Sequence, residues 1–494
     1  MSLVKKLAGQ TAIYGLSSIV GRLLNYLLTP LYTGVLTKEQ YGVSGELFAY
    51  TSFGAVLFMY GMETAFFRFI QKTEPKEKVF STAMVSLIIT SLLLAGLIVL
   101  FATPLANITR NEGREAYIYC IAFILAADAI STLAFAWLRH HNEALRFAKI
   151  RLIGIGVTIG FNLLFYLIFP YLISKGFFAP LNTEGEGTSA YWMFLANVIG
   201  SLIVLPFFIK EFQLVRFGFD KILWKEMLIY AFPLIFMGFA GMINETLDRI
   251  LLKQLIPDKH FAEGELGIYN ANYKLSIIIT LFIQAFRMGA EPFFFAKAKD
   301  TDARQTYAKV MQYFSIVCAV IFVGVMLYLD IFKHFIRRPE YWEGLKIVPI
   351  LLFANIFLGM YYNLSIWYKL TDKTKLGAWV GMIGAAITLI INFLFIPSYS
   401  YMASAWATFT CYLSMLVISY VLGQKYYPVP YPIKRIFAYL LLSFSTYLVS
   451  DMLKETFNFS QPVFLLVNTV LFGVFLFVLY KMEWKGLKTD ILDK

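Results

Sequence analysis

Three cations sit where the sequence offers them almost no water. Arg22, Lys274 and Arg287 lie inside long apolar stretches, and a charge at a bilayer centre costs roughly 2.5–3.5 kcal/mol on insertion scales. A side chain kept there faces a wet cavity or a partner, and a guanidinium fork matches phosphate oxygens bidentately. One carboxylate has a similar setting. Asp128, in Ala126-Ala127-Asp128-Ala129-Ile130, has no cation adjacent in sequence. Burial without a partner favours the neutral form of an acid, so ion coupling is one expectation for Asp128. A satisfied interhelical hydrogen bond is the other.

A second group of charges comes in matched copies. Gly61-Met62-Glu63-Thr64-Ala65-Phe66-Phe67-Arg68 and Gly289-Ala290-Glu291-Pro292-Phe293-Phe294-Phe295-Ala296-Lys297 both read Gly-x-Glu-x-x-Phe-Phe before a cation, 228 residues apart. Glu63 to Arg68 and Glu291 to Lys297 are off the favourable i,i+4 spacing, so each carboxylate is expected to pair across helices, as a charge clamp at a gate. Pro292 is expected to kink its helix. Glu245 and Arg249, with Asp248 beside them, do have i,i+4 spacing. They read as an interfacial salt bridge or as a gate at the opposite end.

The elements that must hold these residues follow from composition. Of 494 residues, 59% are hydrophobic and only 15% charged, against about a quarter charged in soluble domains. Mean hydropathy is +0.67. Spanning a bilayer takes roughly 20 apolar residues per helix. Such runs fall near 8–35, 41–69, 79–103, 115–138, 147–174, 188–209, 223–248, 266–296, 307–331, 343–369, 376–397, 401–422, 435–453 and 462–481. The fold class expected is an all-α polytopic membrane protein of about fourteen transmembrane helices. The longest polar stretch, Lys175 to Thr188, is too short to bury a core. Met1 to Gln10, with Lys5 and Lys6, leads into the first spanning helix rather than a removed signal peptide.

Charge placement gives the orientation. The net charge is +12, and the side carrying the N terminus collects more than twice as many Lys and Arg residues as the other. The positive-inside rule then puts both termini in the cytoplasm. Scattered over loop ends rather than one face, these charges argue against nucleic-acid binding.

The repeat extends well beyond the doubled motif. Arg22 with Pro30 pairs with Arg249 and Pro257 at offset 227, and Tyr41-Gly42-Val43 resembles Leu266-Gly267-Ile268 at 225. Ala127-Asp128 matches Ala354-Asn355, Trp137 matches Trp367, and Asn162 to Phe165 recurs at Asn392 to Phe395. Helices one to six (1–215) and seven to twelve (216–425) then form two pseudo-symmetric lobes. Six being even, the repeats are parallel. Residues 426–494 add helices thirteen and fourteen and a cytoplasmic tail. A duplicated membrane half with ionisable groups inside it is the pattern of a transporter.

Two stretches carry a family resemblance. Leu36-Thr37-Lys38-Glu39-Gln40-Tyr41-Gly42 with Gly61 to Phe69 resembles the N-terminal signature of polysaccharide transporters. These are the Wzx-type lipid-linked oligosaccharide flippases of the multidrug/oligosaccharidyl-lipid/polysaccharide exporter superfamily. Asn392 to Thr408 is similar to the matching second-half signature, although Ala403-Ser404 stands where the family often carries Gly-Ala-Ala. The resemblance covers the first twelve helices. It implies a V-shaped pair of lobes working by alternating access, with the first and eighth helices facing a central cavity. Arg22, Lys274 and Arg287 would then hold the diphosphate of a polyprenyl-linked oligosaccharide. Its setting would be the bacterial cytoplasmic membrane, with membrane lipids and glycan polymerase or ligase machinery as partners. The last two helices resemble those of lipid II flippases, which are thought to form a groove for a lipid tail.

Other chemistries find little support. Cys120, Cys318 and Cys411 lie in apolar runs without metal or redox spacing. His140 and His141 lack further ligands, so no metal site is expected, and Gly154-Ile155-Gly156 with Gly160 lies within an apolar helix. The sequence has no Walker motif, and neither a cofactor nor an enzymatic activity is expected. The competing readings are a lipid II-type or other lipid flippase, a drug/cation antiporter of the same superfamily, and a membrane glycan polymerase or ligase. The antiporter needs an acidic cavity. The enzyme needs a larger acidic outer loop than Thr37 to Gln40, or than Lys175 to Thr188 with Glu184 and Glu186.

Overall fold

Lipid offers the backbone no hydrogen-bond partners, so a chain this apolar must satisfy its peptide groups internally, as helices. The structure, a computed structural model, describes residues 15, 19–176, 189–298, 300–457 and 459–492, all helix, turn or loop without a strand among them. Lys5, Lys6, most of the expected start of the first helix, and Glu184 and Glu186 lie outside the described residues. Thirteen described helices are long and apolar enough to cross a membrane. They coincide with the second to fourteenth expected spans.

We number the helices α1 (19–35, interrupted at 27–28), α2 (Lys38–Phe69), α3 (Lys76–Leu100), α4 (Glu115–His140), α5 (Ala144–Ser174), α6 (Tyr191–Arg216) and α7 (Lys221–Leu255). The rest are α8 (Lys259–Lys297), α9 (Ala303–Leu327), α10 (Pro339–Leu370), α11 (Thr374–Tyr399), α12 (Tyr401–Tyr426), α13 (Ile433–Thr456) and α14 (Gln461–Glu483). Two compact units emerge. The first comprises Met1–Asn270 and Thr388–Ser404, the second Ala271–Ile387 and Ala405–Lys494. The lobe boundaries at 215 and 425 come from the repeat alone and remain a proposal.

Within the first unit, the repeat explains a close helix contact. Gly42 of α2 and Gly267 of α8 are repeat partners, and each has the other helix where a Cβ would be. A Cβ on Gly42 would overlap the Glu263 carbonyl, and one on Gly267 would overlap that of Lys38. Those carbonyls lie one helical turn before the partner glycine, so the contact is locally two-fold. Lipid tails are as apolar as Leu, so helices gain nothing from apolar burial against each other. Small residues that let backbones approach supply van der Waals contact instead. The outward face of α3 is left to lipid, with Ile89, Leu92 and Leu93 exposed.

The two copies of the doubled motif fold differently. In α2 the helix breaks at Tyr60 (φ 33°) and Gly61 (φ 74°), then restarts as Met62–Phe69. Gly tolerates that left-handed conformation without a Cβ clash. In α8 the helix continues past Gly289 and Pro292 to Lys297. Around the first copy, Phe66, Phe80 and Trp137 are buried together, with Phe80 and Trp137 rings 4.7 Å apart. In the second unit, Asn468 of α14 donates to the Leu327 carbonyl of α9 and accepts from Ser450 of α13, both at 2.7 Å. Glu483 accepts from Tyr439 and from Gln312. These bonds fasten the last two helices to α9.

Candidate functional site

The first unit encloses a polar cavity of about 410 Å³ among α1, α2, α4, α5 and α6. Arg22 and Asn25 reach it from α1, Asp128 from α4, Arg151 from α5, and Asn197 and Ser201 from α6. Ser201 hydrogen-bonds to Asp128, and Arg151 is the cation whose field reaches the carboxylate. Arg22 and Asp128, both singled out in the sequence, thus line one space. Arg151 was missed, because position 151 reads as a loop-end charge at the start of a helix. Structurally α5 already starts at Ala144, which carries Arg151 two turns inward. The lining holds two arginines against one carboxylate, surrounded by hydroxyls and amides.

The second unit has a smaller space between α8 and α10. A space of about 20 Å³ is lined by Arg287, Glu291, Tyr362, Asn363 and Lys369, among others. Arg287 lies 4.4 Å from the Tyr362 ring centroid and 3.9 Å from Glu291. Asn355, the repeat partner of Asp128, is buried and donates to the Leu351 carbonyl and to Ser276. Lys274 is half-buried on α8.

The doubled carboxylates take equivalent partners. Glu63 accepts from Arg139 at the end of α4, and Glu291 from Lys369 at the end of α10. Arg139 and Lys369 are themselves 230 apart, so the repeat includes the pair. The cations written into the motif go elsewhere. Arg68 stacks 4.2 Å from the Tyr230 ring, and Lys297 pairs with Asp300 at 2.7 Å.

On α7, Arg249 donates to the Glu245 backbone carbonyl at 2.7 Å, to Asp248 at 3.2 Å and to Asn270 at 3.1 Å. Next to it lies a cluster that the sequence reading did not single out. Lys253 is fully buried, with Nζ 2.7 Å from Glu46 of α2, 2.7 Å from Asn111 and 3.2 Å from Glu263 of α8. Arg114 pairs with Glu263 at 2.8 Å, and Arg110 caps α7 through the carbonyls of Lys253, Ile256 and Pro257. Lys253, Arg110 and Arg114 read as loop-end charges in the sequence. The signal that marks them as core is Glu46, a carboxylate within the apolar α2.

Two acids outside the spans have clear electrostatic settings. Asp220 caps α7 and meets Lys78 at 2.8 Å; that hydrogen bond, with the helix N–H groups, holds its carboxyl below the usual range. Asp330 follows α9. Burial pushes its carboxyl up, but bonds from Lys333 and Lys454 outweigh this and hold it below the ordinary value. Among the described residues, no group of His, Cys, Asp and Glu could hold a metal ion.

Repeated membrane-length helices define a multi-pass, all-helical membrane protein with a pseudo-symmetric internal repeat. The fold resembles the structure described as lipid II flippase MurJ, inward closed conformation, with TM-score 0.71 and 14% identity over 95% of this chain and 98% of that one. An inward-facing multidrug resistance MATE family transporter of the MOP superfamily matches with TM-score 0.63 and 12% identity, covering 85% of this chain and 95% of its own. An outward-facing transporter of that kind matches with TM-score 0.56 and 13% identity, covering 87% and 96%. At these identities the likeness is one of fold. Residues 7–297 match the family described as polysaccharide biosynthesis protein, and the chain belongs to it. Among curated proteins, no sequence matches.

Proposed function

We propose that this protein is a flippase. It moves a polyprenyl-diphosphate-linked oligosaccharide from the cytoplasmic to the outer leaflet by alternating access. The observation that carries the reading is the 410 Å³ cavity of the first unit, where Arg22 and Arg151 outnumber Asp128 among hydroxyl and amide groups. Phosphate oxygens need the guanidinium groups, and sugar hydroxyls need the remaining polar atoms. A net cationic lining disfavours the drug/cation antiporter. The lipid II flippase, whose fold this chain shares, remains the nearest alternative and differs in cargo. A glycan polymerase or ligase finds no acid pair in this cavity to support it.

The anion contacts proposed are Arg22 in the first unit, and Lys274 and Arg287 in the second. Glu63 and Glu291 are proposed as inner-gate residues that leave Arg139 and Lys369 during the cycle, and Arg68 and Lys297, now held by Tyr230 and Asp300, are proposed as gate residues with them. Glu245 and Arg249 gate the opposite end. The protein resides in the cytoplasmic membrane with both termini inside, beside the polymerase or ligase that uses its product. With the inside negative, each negative charge moved outward gains roughly 2.3 kcal/mol per 100 mV, so the potential alone can drive the export. A second reading, ion coupling, has one observation in its favour: Asp128 opens into the same cavity.

The test is flipping of lipid-linked oligosaccharide in proteoliposomes. Arg22→Ala and Arg287→Ala should each abolish it while leaving the protein folded and inserted; normal flipping by both sinks the assignment. Flipping that is equal at zero and imposed potential counts against the electrical drive. Unchanged transport by Asp128→Asn across a range of proton gradients excludes coupling there.

A further inference from the structure

The second unit carries another cavity, of about 460 Å³, at the ends of its helices rather than along them. It lies where the short segment after α9 meets the start of α10 and the α13–α14 junction. Asp330, Lys333 and Trp342 come from the first two, and Lys454, Phe457 and Phe464 from the junction. Its walls combine two chemistries. Asp330 bridges two ammonium groups, Lys333 and Lys454, each at 2.7 Å. Beside this ionic bridge stand aromatic rings. The indole N–H of Trp342 is spent on the Ile336 carbonyl at 2.9 Å, which fixes the ring. Phe457 is 51% exposed and stacks on Phe459 at 5.5 Å.

We infer that this cavity is a saccharide-binding site, which receives sugar residues of the transported glycan. The inference rests on the flippase reading for the source of its ligand. Three occupants compete, and chemistry separates them. A lipid tail would strip water from Asp330 and both lysines without replacing their hydrogen bonds, at high cost. A phosphate would set its charge against the Asp330 carboxylate that already occupies both ammonium groups. A sugar meets both kinds of wall at once. Its C–H faces stack on the exposed Phe457 ring, beside Trp342 whose ring carries Lys333 at 5.0 Å, while its hydroxyls donate to Asp330 and accept from the lysines. A carboxylate has about four acceptor positions, and the two lysines use two. The volume falls in the ordinary range for small-ligand sites, about 300–1,000 Å³. The place also fits a carrier whose cargo keeps its tail in lipid, because the cavity is built at helix ends rather than within a span.

The experiment uses the full chain in nanodiscs, labelled with 5-fluorotryptophan. The protein has eight Trp residues, and the Trp342 resonance is assigned by its loss in Trp342→Phe. The probe is free oligosaccharide, released by mild acid from the host's lipid-linked pool. Saturable movement of the Trp342 resonance is expected. Phe457→Ala and Asp330→Asn should each weaken the apparent affinity about fivefold or more, with thermal midpoints near that of the parent. A silent Trp342 resonance overturns the site, as does an affinity unchanged in both variants. Movement with pyrophosphate alone also overturns it, in favour of an anion site. Flipping in proteoliposomes with a silent resonance leaves the flippase reading intact and removes this site. Movement without flipping leaves the site and removes the flippase reading.

Discussion

The two copies of the repeat keep the same edges and have different interiors. At one helix end of each copy a glutamate is tied to a cation 230 residues from its counterpart: Glu63 to Arg139, and Glu291 to Lys369. Deeper in, the first copy opens a cavity of about 410 Å³ around Asp128, and the second buries a neutral side chain there. Its equivalent of Asp128, Asn355, is buried in hydrogen bonds instead. The ion pairs at these helix ends therefore follow the repeat. The charged cavity lies where the copies have diverged.

The buried ion cluster tests that contrast most severely. Gly42 and Gly267 obey the repeat, yet the charges packed beside them do not. Glu263 aligns with Lys38, and Lys253 aligns with Tyr26. If this asymmetric cluster locks α2, α7 and α8 together, Lys253→Met should cost about 3 kcal/mol or more, because Glu46 is left as a buried charge without its cation. Adding Glu46→Gln should recover part of the loss. Thermal unfolding of the purified protein reads both effects. A single variant as stable as the parent would show that the cluster does not hold the helices.

How much of this could be read from the sequence depends on what each residue needs from its neighbours. The spans are legible because apolar length is a property of one segment, and α2 to α14 fall where hydropathy puts them. The repeat is legible for the same reason: Asn162 and Asn392 are both buried and both donate to the carbonyl four residues back. Charge pairing is not local. Glu63 takes Arg139, a residue 76 positions away, in preference to the nearby Arg68. Lys253 looks like a loop lysine until α2 and the segment around Asn111 close over it. Arg151 was hidden by the uncertain start of α5.

A reciprocal exchange probes the divergent interior directly. Asp128 opens into the cavity, so Asp128→Asn should change stability by less than about 1 kcal/mol. Asn355 is 1% exposed and uses its amide to donate to the Leu351 carbonyl and Ser276. Asn355→Asp would set a carboxylate against that carbonyl in a dry site and should cost about 2–3 kcal/mol. The two substitutions differ only in direction, so comparable midpoints in thermal unfolding would mean that the two positions are not as different as their exposure.

The smallest effect separates the copies at a single atom. Gly61 holds φ 74°, and a Cβ there would meet the Ala231 carbonyl at 3.0 Å and Leu234 at 3.1 Å. Gly289 sits in a continuous helix with nothing within 4 Å of an added Cβ. Alanine in a left-handed conformation costs about 1–2 kcal/mol, whereas alanine for glycine inside a helix gains up to about 1 kcal/mol. Gly61→Ala should therefore lower the unfolding midpoint and Gly289→Ala should raise it, although both change the same letter of the same motif. Shifts of the same sign would mean that the break in α2 is imposed by packing around Phe66 and Trp137 and not by the backbone. Opposite signs would place the divergence of the two copies in the glycine itself, where one helix must turn and the other need not.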